Sequence, residues 1–358
     1  MDKNKALIAM SGGVDSSVAA YLMQQEGYEC IGATMRLCDN ALLGEQESSC
    51  CSLDDVEDAR GVAYRLGMRF YVLNATSDFR EKVVDKFVRS YEQGQTPNPC
   101  IDCNRHLKFE NLLNKALLLE CAYVVTGHYA KIRRDKVTGR YLLYKAEDIA
   151  KDQSYFLACL NQYQLAHARF PLGELTKTQV RSIAQEQGFL NARKRDSQDI
   201  CFVPDGNYVE FMKRYTGKSY SAGDFLDLEG NVVGRHCGAF AYTLGQRKGL
   251  GLAMGQPVYV CGKDMEKNTV TVGPNEALFS RELVAKDWNW IPFDALDCPM
   301  QVTAKARSRH AGAPATVYPE ADGYARVVFD EPQRAITPGQ AVVLYQGDMV
   351  IGSGTILK

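Results

Sequence analysis

The segment that most constrains this chain lies near its start. Residues 5–10 (KALIAM) read as a buried strand, and Ser11-Gly12-Gly13-Val14-Asp15-Ser16-Ser17 follows at once. A helical pattern comes next, with Val18, Ala19, Leu22 and Met23 on one side. A strand that passes through a glycine-rich turn into a helix aims successive N–H groups and a helix N-terminus at one spot, which suits a phosphate. Ser16 and Ser17 are expected to add hydroxyl donors. Asp15 is out of place in a pure anion nest, so its natural reading is a role with Mg²⁺. Ala9 and Met10, at the end of the strand, belong to the same expected nucleotide site. A plain strand–turn–helix connector is the bland alternative. No Gly-Lys-Ser/Thr occurs here, so the string is not a Walker A loop.

The alternation continues through the first half. Strands are expected at 30–35, 70–73 and 122–125, and helices at 53–66, near 81–91 and near 108–119. Such a pattern predicts a parallel sheet covered on both faces, the doubly wound α/β class. Residues 131–144 read as a hairpin turning near Gly139, and 162–187 as a polar, partly helical stretch. After about Pro204 helical periodicity fades. Alternating strands are expected at 283–290, 301–307, 315–318, 325–330, 341–345 and 349–357, with turns at Asp322-Gly323 and Gln346-Gly347-Asp348. That is the pattern of a small β-barrel or sandwich, of which the barrel is the expectation. A chain of 358 residues exceeds one ordinary core. Three domains are expected: 1–204, a small and poorly legible middle piece at 205–280, and the barrel at 281–358.

Composition limits the function classes. Hydrophobic residues are 46% and charged residues 24%, which fits a globular chain. No apolar run of about 18 residues occurs, so no membrane partner is expected, and the start is too short in apolar length for a signal peptide. A cytoplasmic location is the expectation. The net charge of −1 offers no general basic surface, so any nucleic-acid contact must be a local patch. The 12 cysteines of such a chain read as buried thiols plus a few reactive or metal-binding ones. Cys100-Ile101-Asp102-Cys103 sits in a proline-bounded turn and presents two thiols to one point, which suits a redox pair, a metal or an iron–sulfur cluster. Cys201 lies far away in sequence. Cys50 and Cys51 are adjacent, and adjacent side chains point apart.

The loop resembles that of the N-type ATP pyrophosphatases, which split ATP between its α and β phosphates. Further strings, in order, narrow the resemblance: TPNPCIDCN at 96–104, TGHYA at 126–130, KDQSYFL at 151–157, DSQDICF at 196–202, TLGQRKGLG at 243–251 and TPGQ at 337–340. Together with the loop they resemble the tRNA 2-thiouridylase family over nearly the whole chain. The resemblance implies a Rossmann-like, adenine nucleotide alpha hydrolase-like catalytic domain, a middle domain and a tRNA-binding barrel. It implies ATP-dependent adenylation of O2 of the wobble uridine (position 34), followed by sulfur transfer. Cys103 is then the nucleophile and Cys201 the persulfide carrier, with a disulfide closing between them. Met35 and Gly127 are expected near ATP. Asn98, Pro99, Cys100 and His128 are expected near the target base. Lys151, Asp152, Gln153, Arg307, Ser308 and Gln340 are expected against tRNA. The implied partners are tRNAs with Lys, Glu and Gln acceptors and a sulfur donor such as a cysteine desulfurase or relay protein.

Many members carry Asp where this chain has Cys100. Cys100, Cys103 and Cys201 together resemble the three-cysteine pattern by which other tRNA thiolases hold a [4Fe–4S] cluster, so the persulfide and cluster routes both stand. Lys305, Arg307 and Arg309 alternate and are expected to form a basic stripe on one strand face. Arg193-Lys194-Arg195 is expected to bring positive charge near the thiols. Two other functions fit parts of the pattern: an adenylating synthetase for a small metabolite, and an RNA-binding module with an inert ATP site.

Overall fold

The computed structural model describes residues 2–38, 53–194 and 200–358. Cys50, Cys51 and residues 195–199 lie outside this description. The chain forms two compact units. One comprises the described parts of Met1–Val84, Pro99–Gly206 and Asp348–Val350, and the other Asp85–Asn98, Asn207–Gly347 and Ile351–Lys358.

In the first unit the strands are β1 (Asp2–Ala9), β2 (Glu29–Arg36), β3 (Arg69–Asn74), β4 (Cys121–Val125), a hairpin of β5 (Lys131–Arg134) and β6 (Tyr141–Tyr144), and the two-residue β7 (Ala168–Arg169). Five of them form a parallel sheet in the order β3-β2-β1-β4-β7. β1 is central, and Ala6, Leu7 and Ile8 are fully buried on both its faces, as continuous apolar runs in parallel sheets demand. Helix α1 (Val14–Gln25) and helix α2 (Leu53–Arg65) bury Val18, Ala19, Val62 and Ala63 against this sheet together with Val180 and Ala184 of the helix Lys177–Glu186. Thr176 starts that last helix with a capping box to Gln179. The helix expected near 108–119 starts earlier: helical residues run from Pro99 to Leu118, with π-type turns over Cys103–Asn111. Proline suits a first helical position because its missing N–H has no partner there.

In the second unit a four-stranded sheet follows the order β10-β11-β8-β9, from β8 (Gly223–Leu226), β9 (Val232–His236), β10 (Tyr259–Asp264) and β11 (Thr269–Gly273). The remaining strands are β12 (Phe279–Trp290), β13 (Met300–Lys305), β14 (Ala313–Pro319), β15 (Ala325–Arg334), β16 (Ala341–Gln346) and β17 (Met349–Ile356). They run β12-β15-β14-β13-β16-β17 and close through pairing of β12 with β17, Ala285 opposite Ile356. This is the expected barrel, and closure removes the sheet edges. Asp322 and Gly323 both have positive φ, which the β14–β15 turn requires. Among the described residues no helix is long and apolar enough to cross a membrane.

The expected basic stripe does not lie on one strand face. β13 ends at Lys305, and Arg307 and Arg309 stand on the irregular turn that follows. Arg307 is half-buried and donates to the carbonyls of Arg334 and Ala335, at 2.8 Å each. Its guanidinium closes the turn, because two inward carbonyls need a donor.

Ile8 ties the loop-bearing strand into the core. Ile8→Ala is expected to lower unfolding free energy by about 2–5 kcal/mol, measured as a shift of the urea midpoint with the slope unchanged.

Candidate active site

The strand order fixes where a ligand can sit. The chain leaves β1 toward β2 and β3 on one side and returns through β4 on the other, so the carboxyl ends of β1 and β4 flank a switch point. A cleft of ≈ 580 Å³ opens there. The loop after β1 forms its floor: Ser11, Gly13, Val14, Asp15 and Ser16 line it, next to Ala9 and Met10. Met35 from the end of β2 and Gly127 and His128 from the end of β4 form its walls.

Backbone contact makes the loop rigid. A Cβ on Gly127 would lie 2.7 Å from the backbone carbon of Asp15 and the backbone nitrogen of Ser16. Gly12 has φ +75, and a Cβ there would run into the backbone of Asp55. Asn191 donates to the carbonyl of Gly12 and to Ser17 Oγ, at 2.9 Å each. The serines behave differently from expectation. Ser16 Oγ and Ser17 Oγ both donate to the Gly13 carbonyl, at 3.0 and 3.1 Å, and Ser17 is fully buried. Their protons are spent on shaping the turn. Gly13 opens α1 without a side-chain cap, so the first-turn N–H groups are the donors available to an anion.

Two residues that sequence reasoning missed hold Asp15. Lys177 Nζ lies 2.7 and 2.8 Å from its two carboxylate oxygens, and Tyr129 Oη donates to Oδ1 at 2.8 Å. Lys177 is 162 positions away in sequence, so no local pattern could reveal the pair.

His128 is buried. Its Nδ1 lies 2.7 Å from Thr126 Oγ1, and Lys108 Nζ approaches Nε2 at 3.5 Å. Burial first, then the Lys108 ammonium, holds the imidazole well below its ordinary pKa. A neutral ring with the proton on Nδ1 satisfies both neighbours. Lys108 also lines the cleft and is a third residue that the sequence reading passed over.

Cys100, Cys103 and Cys201 all line this one cleft, as does Pro99. None of the three is disulfide-bonded. Cys100 is reached by solvent, yet the protein packed around it raises its thiol pKa, with Lys108 pulling the other way and Asp102 adding to the rise. Among the described residues no three Cys, His, Asp or Glu side chains are grouped to hold a metal ion.

The other expected contacts divide. Lys151 and Gln153 line the cleft. Asp152 instead accepts from the N–H groups of Ala146 and Ser154, at 3.1 Å each, and organises the turn between them. Asn98, Arg307, Ser308 and Gln340 belong to the second unit. Gln340 Nε2 donates to the carbonyl of Thr96 at 2.8 Å. Lys194 contacts Asp55 and Asp58, at 2.6 and 2.5 Å, so its charge is neutralised rather than offered to the thiols.

Fold and loop together define an α/β nucleotide-binding domain whose phosphate site shares a cleft with three thiols. Residues 4–205 match the family model described as the tRNA methyl transferase HUP domain, 209–274 its PRC-barrel domain, and 280–356 the aminomethyltransferase beta-barrel domain. The tRNA-specific 2-thiouridylase MnmA of Clostridioides difficile (strain 630) is 50% identical over 354 residues, 99% of this chain and 98% of that protein. The protein of the same name from Clostridium acetobutylicum is 50% identical over 353 residues, 98% of this chain and 99% of that one. The chain belongs to the tRNA-specific 2-thiouridylase family.

Gly127→Ala is expected to displace the loop, weaken ATP binding by roughly tenfold or more, about 1.4 kcal/mol, and lower the melting temperature, because the added Cβ meets backbone. Isothermal titration calorimetry with ATP measures it. His128 gives a pH signature. Unfolded histidine takes a proton below about pH 6.5 while the folded ring stays neutral, so its contribution is complete above that pH. It falls as pH drops, with a slope approaching about 1.4 kcal/mol per unit. Urea unfolding at pH 7.5 and 5.5 is expected to show a smaller acid loss in His128→Gln than in the wild type.

Proposed function

We propose that this protein uses ATP to replace O2 of the wobble uridine of tRNA, position 34, with sulfur. The observation that carries this reading is the shared cleft: the phosphate loop, Cys103 and Cys201 face one space within a single unit. Full-length likeness to 2-thiouridylases favours tRNA over a small metabolite and an active ATP site over an inert one.

The target base must leave the anticodon stack to enter the cleft, since its reacting edge is shielded within it. O2 attacks the α-phosphorus, pyrophosphate leaves, and the base carries AMP on O2. The N–H groups at the start of α1 hold the phosphates, and the neutral His128 stands beside Lys108 at the wall. Mg²⁺ bound with the phosphates would neutralise part of their charge. Asp15 is the loop carboxylate that would hold it, beside Lys177.

Sulfur then arrives as a persulfide on Cys201. Its terminal sulfur attacks C2 and AMP departs, leaving the base joined to Cys201 through an S–S bond. The Cys103 thiolate attacks Sγ of Cys201, the S–S bond breaks, and the thiocarbonyl is released. The resulting Cys103–Cys201 disulfide needs two electrons from an external thiol before the next turnover. The persulfide comes from a sulfur donor such as a cysteine desulfurase or relay protein. The acceptors are the Lys, Glu and Gln tRNAs, and the reaction belongs in the cytoplasm.

The test is product analysis with tRNA, ATP and a persulfide source. AMP and pyrophosphate are expected. Cys103→Ala and Cys201→Ala are expected to lose thiolation entirely, while Cys100→Ala keeps it. ADP as the sole nucleotide product overturns the reading, and loss of activity in Cys100→Ala overturns the persulfide route.

A further inference from the structure

The thiolation reading demands a surface that holds phosphates, yet the chain as a whole carries −1. The required charge must be concentrated somewhere, and the expected stripe at Arg307 does not supply it. The hairpin of β5 and β6 does. Residues 131–145 contain six Lys and Arg against the one Asp135, a net +5 in 15 residues.

This hairpin rises from the wall of the cleft. Tyr129 and Gln153, which both line the cleft, clasp its base: Gln153 N donates to the Tyr129 carbonyl at 2.8 Å, and Tyr129 N to Gln153 Oε1 at 3.0 Å. Gln162 fixes it from the side, bonding N and O of Tyr141 at 2.8 and 2.9 Å, and Leu143 is fully buried beneath it. The base and the tip differ in charge. Near the base, Lys131 pairs with Glu147 and Glu174, and Arg133 with Glu174. At the tip Arg134 and Lys136 are exposed, and Val137 is 93% exposed. The one tip carboxylate is turned to internal use. Asp135 accepts from Val137 N, Thr138 N and Thr138 Oγ1, and these bonds, that of the hydroxyl first, lower its pKa. Arg134 spends one donor on the Gly139 carbonyl, and its guanidinium lies 5.9 Å above the Tyr141 ring, which fixes the direction of a charge that stays in contact with water.

We propose that this hairpin is an RNA arm: its tip, through Arg134 and Lys136, binds the phosphodiester backbone flanking the nucleotide that enters the cleft. The inference rests on the proposed thiolation. The four-residue strands β5 and β6 rise about 13 Å, so the tip reaches phosphates beyond the target nucleotide. A rigid, cation-tipped arm fits a polyanion in a way that a flexible loop does not, because fewer rotamers are lost on binding. Since phosphate contacts carry no sequence information, the arm serves affinity and register rather than choice of tRNA.

The experiment compares the full-length wild type with Arg134→Glu/Lys136→Glu and Arg134→Ala/Lys136→Ala. It measures binding of an unmodified tRNA transcript between 50 and 200 mM salt, ATP binding and the melting temperature. Both variants are expected to keep ATP affinity and melting temperature. The alanine pair is expected to lower the slope of log affinity on log salt by about 2, and the glutamate pair to weaken tRNA binding at least tenfold at the lower salt. Wild-type affinity and slope in both variants, with the wild type binding tRNA, overturns the arm alone. Unchanged tRNA binding with impaired sulfur delivery from the donor protein also overturns it, in favour of a protein-docking surface. Failure of the wild type to bind tRNA at all overturns the thiolation reading and the arm with it.

Discussion

The site depends on backbone touching backbone. Parallel pairing of β1 with β4 sets Ile8 beside Val125, which brings Gly127 level with the loop that follows β1. With no side chain at 127, the chain after β4 lies directly on Asp15 and Ser16. On the other flank Gly12 abuts Asp55 at the start of α2. Asn191 ties the loop carbonyl of Gly12 to Ser17 from a third direction. Donors held this way need little reorganisation when a phosphate arrives, and that is where a preorganised site gains over water.

Electrostatics in the cleft is built from local pairs. Asp15 is neutralised by Lys177 and oriented by Tyr129. The ammonium of Lys108 stands near both a neutral imidazole and the Cys100 thiol, and it favours the unprotonated form of each. An uncharged His128 next to Lys108 avoids two cations in a buried wall, which would be costly in a low dielectric. The same reasoning explains why positive charge counted along the sequence misled. Arg307 and Lys194 are both cationic, but one closes a turn through carbonyls and the other is absorbed by two aspartates.

The cysteine pair shows how a motif and its geometry separate. As a sequence string, C-x-x-C with a distant third cysteine fits a cluster as well as a persulfide relay. On a helix that begins at Pro99, Cys100 and Cys103 sit one turn apart, and Cys201 reaches the same cleft from another segment. A shared cleft suffices for thiols that meet in sequence during turnover. A single metal ion needs its ligands grouped at once, and among the described residues no three such side chains are grouped in that way.

The sequence by itself determined the fold class and the family. Period-2 and period-3.6 hydrophobic patterns are local, so the doubly wound sheet, the hairpin at Gly139 and the strands of the barrel were legible from residues such as Ile8, Val18 and Val327, whereas closure of the barrel through β12 and β17 was not. The glycines of the loop were legible because a tight turn before a helix needs them wherever it occurs. The four-stranded sheet of β8 to β11 was not, since its strands are short and one of its pairings joins segments far apart in the chain. Only the tertiary structure decided what each charge does. Lys177 against Asp15, Lys108 against His128 and Asn191 against Ser17 are contacts across 162, 20 and 174 positions. Neither charge nor hydrogen bonding leaves a period in the sequence, because the partner is chosen by the packing of strands and helices that bring distant residues together.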